Sequence, residues 1–223
     1  MILVIDADYL LYVTLYHFRK DDTINQVEYF GKRVRELTKE VEIALGSEYE
    51  EVILAFSDLT NFRHEIDPMY KSKRKPRPDG YLKLKAEVGQ KFNVEQWDNF
   101  EADDICGWYA MYKGADIASQ DNDVYTQVPI AYNIARQEVV MNTPLDISVA
   151  LYTKAIKGDR VDGVKALPKR YRDKMLEMLE LIPKDAQKLI QLINDQEVAE
   201  LYIKNLSLVD INRLHENKVI TWN

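Results

Sequence analysis

The 223-residue chain has a single cysteine, Cys106. One thiol excludes an intramolecular disulfide and any cysteine-cluster zinc site. Its apolar neighbours make it a core residue. Histidine is scarce too, three in all, so the chain has no suitable set of soft metal ligands. No apolar run is long enough to cross a bilayer. The start, "MILVIDADYLLYV", has no basic leader, and Asp6 and Asp8 interrupt its apolar run. No signal peptide is read there, so a cytoplasmic protein without a membrane partner is expected. Basic charge is outnumbered: the net charge is −7, which on its face argues against a nucleic-acid partner. What the chain does have is 46% apolar residues, ample for a core, and aspartates gathered at the ends of apolar segments.

The segments "ILVI" (2–5) and "EVILAF" (51–56) read as buried strands, and Val27–Leu45 has the apolar spacing of an amphipathic helix. Residues 61–79, "NFRHEIDPMYKSKRKPRPD", are polar, basic and proline-punctuated, and predict an exposed excursion. Helices are expected over Tyr81–Phe92 and Phe100–Tyr112, the latter capped by Asp98 or Asn99. "DIAS" (116–119) precedes Asp121 and Asp123, and Val124–Ala131 and Glu138–Met141 read as strands. Helical patterns follow over Leu145–Ile156, Pro168–Leu181, Asp185–Ile203 and Leu208–Leu214. Alternating strands and helices imply an α/β fold with a central, mainly parallel sheet flanked by helices, and a helical C-terminal part.

In an open parallel sheet the carboxyl ends of the strands line the ligand crevice. Asp6, Asp58, Asp121 and Asp123 all lie just past apolar segments and so could converge there. In "NFEADDI" (99–105), Glu101, Asp103 and Asp104 open a helix, where the dipole and capping favour carboxylates. Glu101 departs from that account. It shares the apolar face with Ile105 and Trp108, and no Lys or Arg stands at i+3 or i+4 to pair with it. Asp159 and Asp162, in "GDRVDG", complete a set of nine. Without those nine the net charge would be +2 rather than −7. Carboxylates at close range repel and raise each other's pKa, so the cluster calls for cations. All-oxygen donors point to Mg²⁺, with Mn²⁺ as substitute, and their number suggests two ions.

Arg63, Lys71, Lys73, Arg74, Lys75 and Arg77, with Phe62 and Tyr70 among them, offer phosphate-neutralising charge and rings that stack on unpaired bases. Lys165–Lys174, "KALPKRYRDK", is a second basic patch. The chain resembles the 5′-nuclease superfamily, the phage and bacterial 5′→3′ exonucleases and flap endonucleases with a PIN-like fold. Five segments carry the resemblance, in order: "VIDADYLLY", "FSDLTNFRHEIDPMYKSKR", "FEADD", "SQDNDVYTQV" and "GDRVDGVKAL", together spanning about residues 1–180.

The resemblance implies a catalytic domain over 1–144, with a helical arch region at about 60–85, and a helical DNA-binding subregion over 145–223 containing a modified helix–three-turn–helix. It implies that Asp6, Asp58, Glu101 and Asp103 hold one ion and Asp121, Asp123, Asp159 and Asp162 the other, with Asp103 or Asp104 between them. Lys71 matches the arch lysine that reaches the scissile phosphate. Asp6, Asp58, Asp103 and Asp121 join it as expected catalytic groups. Arg63, Tyr70, Lys73, Arg74, Lys165, Lys169 and Arg170 are the expected nucleic-acid contacts.

The implied activity is two-metal hydrolysis near 5′ ends of DNA, at flaps or nicks or in RNA–DNA hybrids, by a monomer in phage replication or repair. Two departures stand out. Val161-Asp162-Gly163-Val164 replaces the usual Ser-Asp-Asn-Ile pattern, and "KALPKRYRDK" replaces a glycine-rich turn, which puts a potassium site in doubt. A haloacid-dehalogenase-type phosphatase would share the early Asp-x-Asp and a late acidic motif. It gives no role to "FEADD", to Asp121 with Asp123, or to the basic segment. A binding protein that had lost catalysis would have no reason to keep mutually repelling carboxylates.

Overall fold

The computed structural model describes residues 1–18, 23–181, 183–212, 214–215 and 218–219. Six strands form one sheet: β1 (Ile2–Asp6), β2 (Glu51–Ala55), β3 (Val94–Glu95), β4 (Asp116–Ser119), β5 (Ile130–Asn133) and β6 (Glu138–Met141). Their order is β3-β2-β1-β4-β5-β6, and every pairing is parallel except β5 with β6. β1 and β2 pair in register from Ile2↔Glu51 to Asp6↔Ala55, and both bury their ends, as their aliphatic runs require. The chain leaves β1 toward β2 on one side and returns to β4 on the other. The β1/β4 boundary is therefore where the strand order reverses, and an open α/β sheet has its crevice there.

The helices follow the apolar periodicity. In α2 (Thr23–Leu45), Val27, Phe30, Val34, Leu37 and Val41 form one stripe and are all buried, with α1 (Asp8–His17) and α4 (Tyr81–Gly89) against the same core. At about 1.5–3 kcal/mol for each such side chain, that stripe stabilises the layer by roughly 10 kcal/mol before entropy is counted. On the other face, Ala102, Ile105 and Cys106 of α5 (Ala102–Trp108) pack with Val4, Ile53 and Ile117. The buried Cys106 thiol matches its expected core role. A π-helical turn over Tyr109–Lys113 ends at Gly114.

α7 (Pro144–Lys157), α8 (Lys169–Leu181), a 3₁₀ helix (Pro183–Leu192) and α9 (Gln196–Val209) enclose a separate apolar cluster of Tyr152, Ile156, Tyr171, Met175, Leu179 and Tyr202. Among the described residues, no helix is long and apolar enough to cross a membrane.

Several expectations are corrected. α1 has no counterpart in the sequence pattern, because the residues after Asp8, "YLLYVTLYH", are apolar or aromatic nearly all round and leave no stripe to mark a helix face. Residues 124–127 of the strand expected over Val124–Ala131 belong instead to a helix, α6 (Asn122–Gln127), since the Asp121 side chain accepts the Asp123 N–H and starts a helical turn, and β5 begins only at Ile130. The N-cap of α5 is Glu101, not Asp98 or Asn99, in a capping box with Asp104. The helix expected over Leu208–Leu214 ends instead at Val209, within α9. Leu214–His215 forms a short strand, β7, with Lys218–Val219, β8, and residue 213 lies outside the described set.

The segment after β2 is not a wholly exposed excursion. It contains a short helix, α3 (Arg63–Ile66), and Arg63 and Tyr70 are buried. Tyr70 is part of the C-terminal apolar cluster, so the segment is docked at its root by burial of a whole aromatic side chain.

Candidate metal centre

The carboxylates divide into an inner and an outer group. Asp6 ends β1, and Asp121 follows β4, its neighbour in the sheet. Ser119 ties them together: its hydroxyl donates to Asp6 Oδ2 at 2.9 Å and accepts the Asp121 N–H at 2.9 Å. Asp103, in the first turn of α5, faces the same place. Burial, then Asp121 and Asp6, push its carboxyl well above the usual range. Burial, then Asp8, and then Asp121 push Asp6 up to about 7. Among the described residues, no cation forms an ion pair with Asp6, Asp103 or Asp121. These are three converging carboxyls with no cation partner among the described residues, and in Asp6 and Asp103 the protonated form is favoured in its place.

The outer group is Asp123, Asp159 and Asp162, whose oxygens lie within 4.8 Å of one another. Asp123 sits in the first turn of α6. Asp159 and Asp162 belong to the loop after α7, where Asp159 Oδ1 accepts the N–H of Val161 at 2.7 Å and of Asp162 at 3.3 Å. Gly158 opens that loop with φ +70°, and a Cβ there would lie 2.5 Å from the Ala166 nitrogen. Lys154, from the last turn of α7, bonds Asp123 and Asp159, the latter at 2.9 Å. Arg74 holds Asp162 Oδ1 at 2.6 Å.

Asp104 and Asp103 part company here. Asp104 is fully buried and receives both guanidinium nitrogens of Arg63, at 2.6 and 2.7 Å, together with the Glu101 N–H at 3.0 Å. Its oxygens are thereby committed, which corrects the expectation that it holds metal. Asp103 is the one facing the inner group. Arg63 is corrected with it: 1% exposed, it also donates to the Leu208 carbonyl at 2.8 Å, so it cannot reach a phosphate. A buried, bidentate pair of this kind joins α3, α5 and the end of α9.

Glu101 finds its partners far along the chain rather than on its own helix. Lys71 Nζ lies 2.5 Å and Arg63 Nη1 3.4 Å from it. Burial would raise Glu101, but Lys71 and then Arg63 outweigh it and hold the carboxyl at about 2. Lys71 adopts φ +53°, its N–H donates to the Asp162 carbonyl at 2.9 Å, and its ammonium lies 3.8 Å from Asp162. The basic segment after β2 is thus anchored on the Asp159–Asp162 loop.

The Tyr70 hydroxyl faces Glu101 at 3.2 Å and Asp162 at 3.4 Å. Being 3% exposed, the ring is not free to stack on a base, which corrects that expectation. Asp58 is set apart from the inner group. Its oxygens accept from Gln96, Thr60 and the Asn99 N–H, and the Asn99 bond leads the causes that hold it below the usual carboxylate range. Asp8 stands nearer the inner group, accepting from the Tyr81 hydroxyl at 2.6 Å and the Ser57 N–H at 3.3 Å.

Lys73, Arg74, Lys165 and Lys169 are exposed. Arg170 is exposed but lies 3.3 Å from Asp195. A cleft of about 510 Å³ runs past the outer group, bounded by Arg74, Asp121, Asp123, Lys154, Lys157 and Asp162, among others. Lys154 is a site residue that the sequence pattern does not single out. Its only signal is its place in the last turn of an expected helix that runs into "GDRVDG". The donor set of both groups, carboxyl oxygens alone with no cation partner among the described residues in the inner one, fits hard divalent cations.

Comparison with known proteins agrees with this geometry. Residues 1–150 match the family described as 5′-3′ exonuclease, N-terminal resolvase-like domain. A bacteriophage T5 protein co-crystallized with metal ions shares the fold at TM-score 0.73 and 16% identity, over 95% of this chain and 89% of that one. A bacteriophage T5 flap endonuclease, in a pseudo-enzyme–product complex with DNA and metal ions, has TM-score 0.71 and 16% identity over the same shares. The catalytic core of Rad2 with a DNA substrate has TM-score 0.50 and 13% identity, over 100% of this chain and 82% of that one. No curated protein matches the sequence. With well over half of its length matched, the chain belongs to the 5′-3′ exonuclease family.

Proposed function

We propose that this chain is a metal-dependent 5′ nuclease that hydrolyses DNA phosphodiesters near 5′ ends, flaps or nicks, with Mg²⁺ as its ion. The observation that carries this reading is the inner carboxyl trio at the sheet's reversal point, without a cation partner among the described residues and bordered by a basic rim. Asp6, Asp103 and Asp121 would hold one divalent ion, and Asp123, Asp159 and Asp162 a second. Bound there, such ions supply an activated water and offset charge on the phosphate and the leaving oxygen.

The chain's own residues do the positioning. Ser119 orients Asp6 and Asp121 toward each other. Glu101 holds the Lys71 ammonium at the root of the arch segment, where a positive charge favours a phosphate with developing negative charge. Arg74 and Lys73 from the arch, with Lys165 and Lys169 beside the outer loop, would neutralise backbone phosphates on the approach. The helices α7, α8 and α9 would grip the duplex portion. A T5 structure with metal ions, a T5 flap endonuclease complex with DNA and metal ions, and the Rad2 core with a DNA substrate support this reading. A role in phage DNA replication or repair follows from the T5 likeness, and the working form is a monomer.

The test is cleavage of end-labelled 5′-flap, nicked-duplex and RNA–DNA hybrid substrates with and without Mg²⁺, comparing wild type with Asp121→Ala/Asp123→Ala. Wild type should release 5′-phosphate and 3′-hydroxyl products only with the ion, and the double variant should be inactive. Full Mg²⁺-dependent cleavage by that variant would sink the assignment.

A further inference from the structure

The inner and outer carboxylate groups differ in one respect that the proposed reaction leaves unexplained. The inner trio has no ion pair among the described residues, whereas the outer group already contains a cation of the chain's own. The Lys154 ammonium bonds Asp123 Oδ2 and lies 2.9 Å from Asp159 Oδ2. Both of those carboxylates belong to the trio whose oxygens come within 4.8 Å of one another.

We propose that Lys154 is a resident countercation of the outer site, and that a divalent ion enters there only by displacing its ammonium. The proposal rests on the reading of the acidic cluster as a metal centre.

The chemistry is an exchange of cations on shared donors. An ammonium directs its three N–H groups at carboxylate oxygens, and those oxygens are the ones a hard divalent ion requires. Asp159 Oδ1 already accepts the Val161 and Asp162 N–H groups, so an ion that binds through Asp159 Oδ2 and Asp123 Oδ2 takes the oxygens that Lys154 holds. Lys154 stands in the last turn of α7 on a flexible four-carbon stem. The adjoining cleft, lined by Thr126, Ala150, Thr153 and Lys157, gives the displaced side chain room to swing out. Displacement therefore needs rotamer changes and no movement of the backbone. In the absence of the ion, the same ammonium keeps Asp123 and Asp159 from repelling each other. Asp162, the third member, is held separately by Arg74 at 2.6 Å, so the exchange concerns Asp123 and Asp159.

Two measurements on the full chain, without DNA, test this. The first counts bound Mn²⁺ by electron paramagnetic resonance across a titration, for wild type, Lys154→Met and Lys154→Arg. Lys154→Met keeps most of the side chain's length and removes the competing charge, so the weaker class of Mn²⁺ sites should tighten about tenfold or more. Lys154→Arg keeps the charge and should bind within about threefold of wild type. An unchanged or weakened Lys154→Met isotherm, or equal tightening in both variants, overturns the proposal.

The second measurement needs no variant. Reductive methylation of Lys154, followed by mass spectrometry, should accelerate when Mg²⁺ is added, while exposed Lys73 does not change. Equal labelling of Lys154 with and without Mg²⁺ also overturns it. A wild-type chain that binds no Mn²⁺ would overturn the metal-centre reading as well. Mn²⁺ binding with an unchanged variant overturns the displacement alone.

Discussion

Replacing Arg63 by methionine separates two readings of that residue. On sequence grounds it is a phosphate contact, so its loss should weaken DNA binding and leave the fold alone. In the structure its guanidinium is 1% exposed and gives both terminal nitrogens to a fully buried Asp104, with its Nε on the Leu208 carbonyl. Arg63→Met then leaves Asp104 charged, buried and unpaired. Removing one partner of such a pair costs about 3–5 kcal/mol. For a chain of this size each kcal/mol lowers Tm by roughly 2–4 °C, so the fall should be on the order of 10 °C. The assay is a thermal melt without DNA or metal, followed by circular dichroism.

A second variant, Arg63→Met/Asp104→Asn, tests the cause. It removes the stranded charge yet keeps an oxygen for the Glu101 N–H, and should recover more than half of the loss. Arg63→Met that melts like wild type while binding a 5′-flap more weakly would refute the reasoning and return Arg63 to the DNA surface.

Stability should also depend on pH in a particular sense. Asp6, pushed up to about 7 by burial, Asp8 and Asp121, keeps in the folded chain a proton that the unfolded chain has already released. Folded-state binding of that proton means stability falls as pH rises from about 4 to 7. At about 1.4 kcal/mol for each pH unit, the loss is on the order of 4 kcal/mol. Asp103 acts in the same direction. Glu101, held at about 2, contributes stability above its unfolded value that is lost only as pH drops toward 2, outside that window. Melts in EDTA should therefore show Tm falling between pH 5 and 7, and saturating Mg²⁺ should flatten the fall. A metal-free Tm that rises over this range contradicts the account of the inner trio as carboxyls without a cation partner. At Gly158, where φ is +70° and a Cβ would meet the Ala166 nitrogen at 2.5 Å, Gly158→Ala should cost about 1–3 kcal/mol and weaken Mn²⁺ binding at the outer group. Unaltered melting and Mn²⁺ titration would show that the loop tolerates the side chain.

Local chemistry made much of this protein readable. Aliphatic runs ending in Asp6 and in "DIAS" have no comfortable alternative to buried parallel strands. The 27-30-34-37-41 stripe of α2 can only be one face of a helix. Where such strands end in aspartates, the carboxyl edge of the sheet becomes acidic whatever else happens. Glu101 is the extended N-cap of α5 rather than a member of its apolar stripe, and its charge meets Lys71 and Arg63 from other segments.

What the sequence could not settle were choices between chemically equal residues and pairings across long separations. Asp103 and Asp104 are adjacent and alike, and only the arrival of Arg63 from 41 residues away commits Asp104 to a buried ion pair and leaves Asp103 to the site. Tyr70 looks like a base-stacking ring until the packing of α7–α9 buries it. Lys154 is one lysine among many until the turn at Gly158 brings Asp159 back against it. Composition and periodicity act through nearest neighbours along the chain and so determined the strands, helices and acidic edge. Tertiary structure decided which charges meet, because that depends on segments whose sequences carry no record of their distance in space.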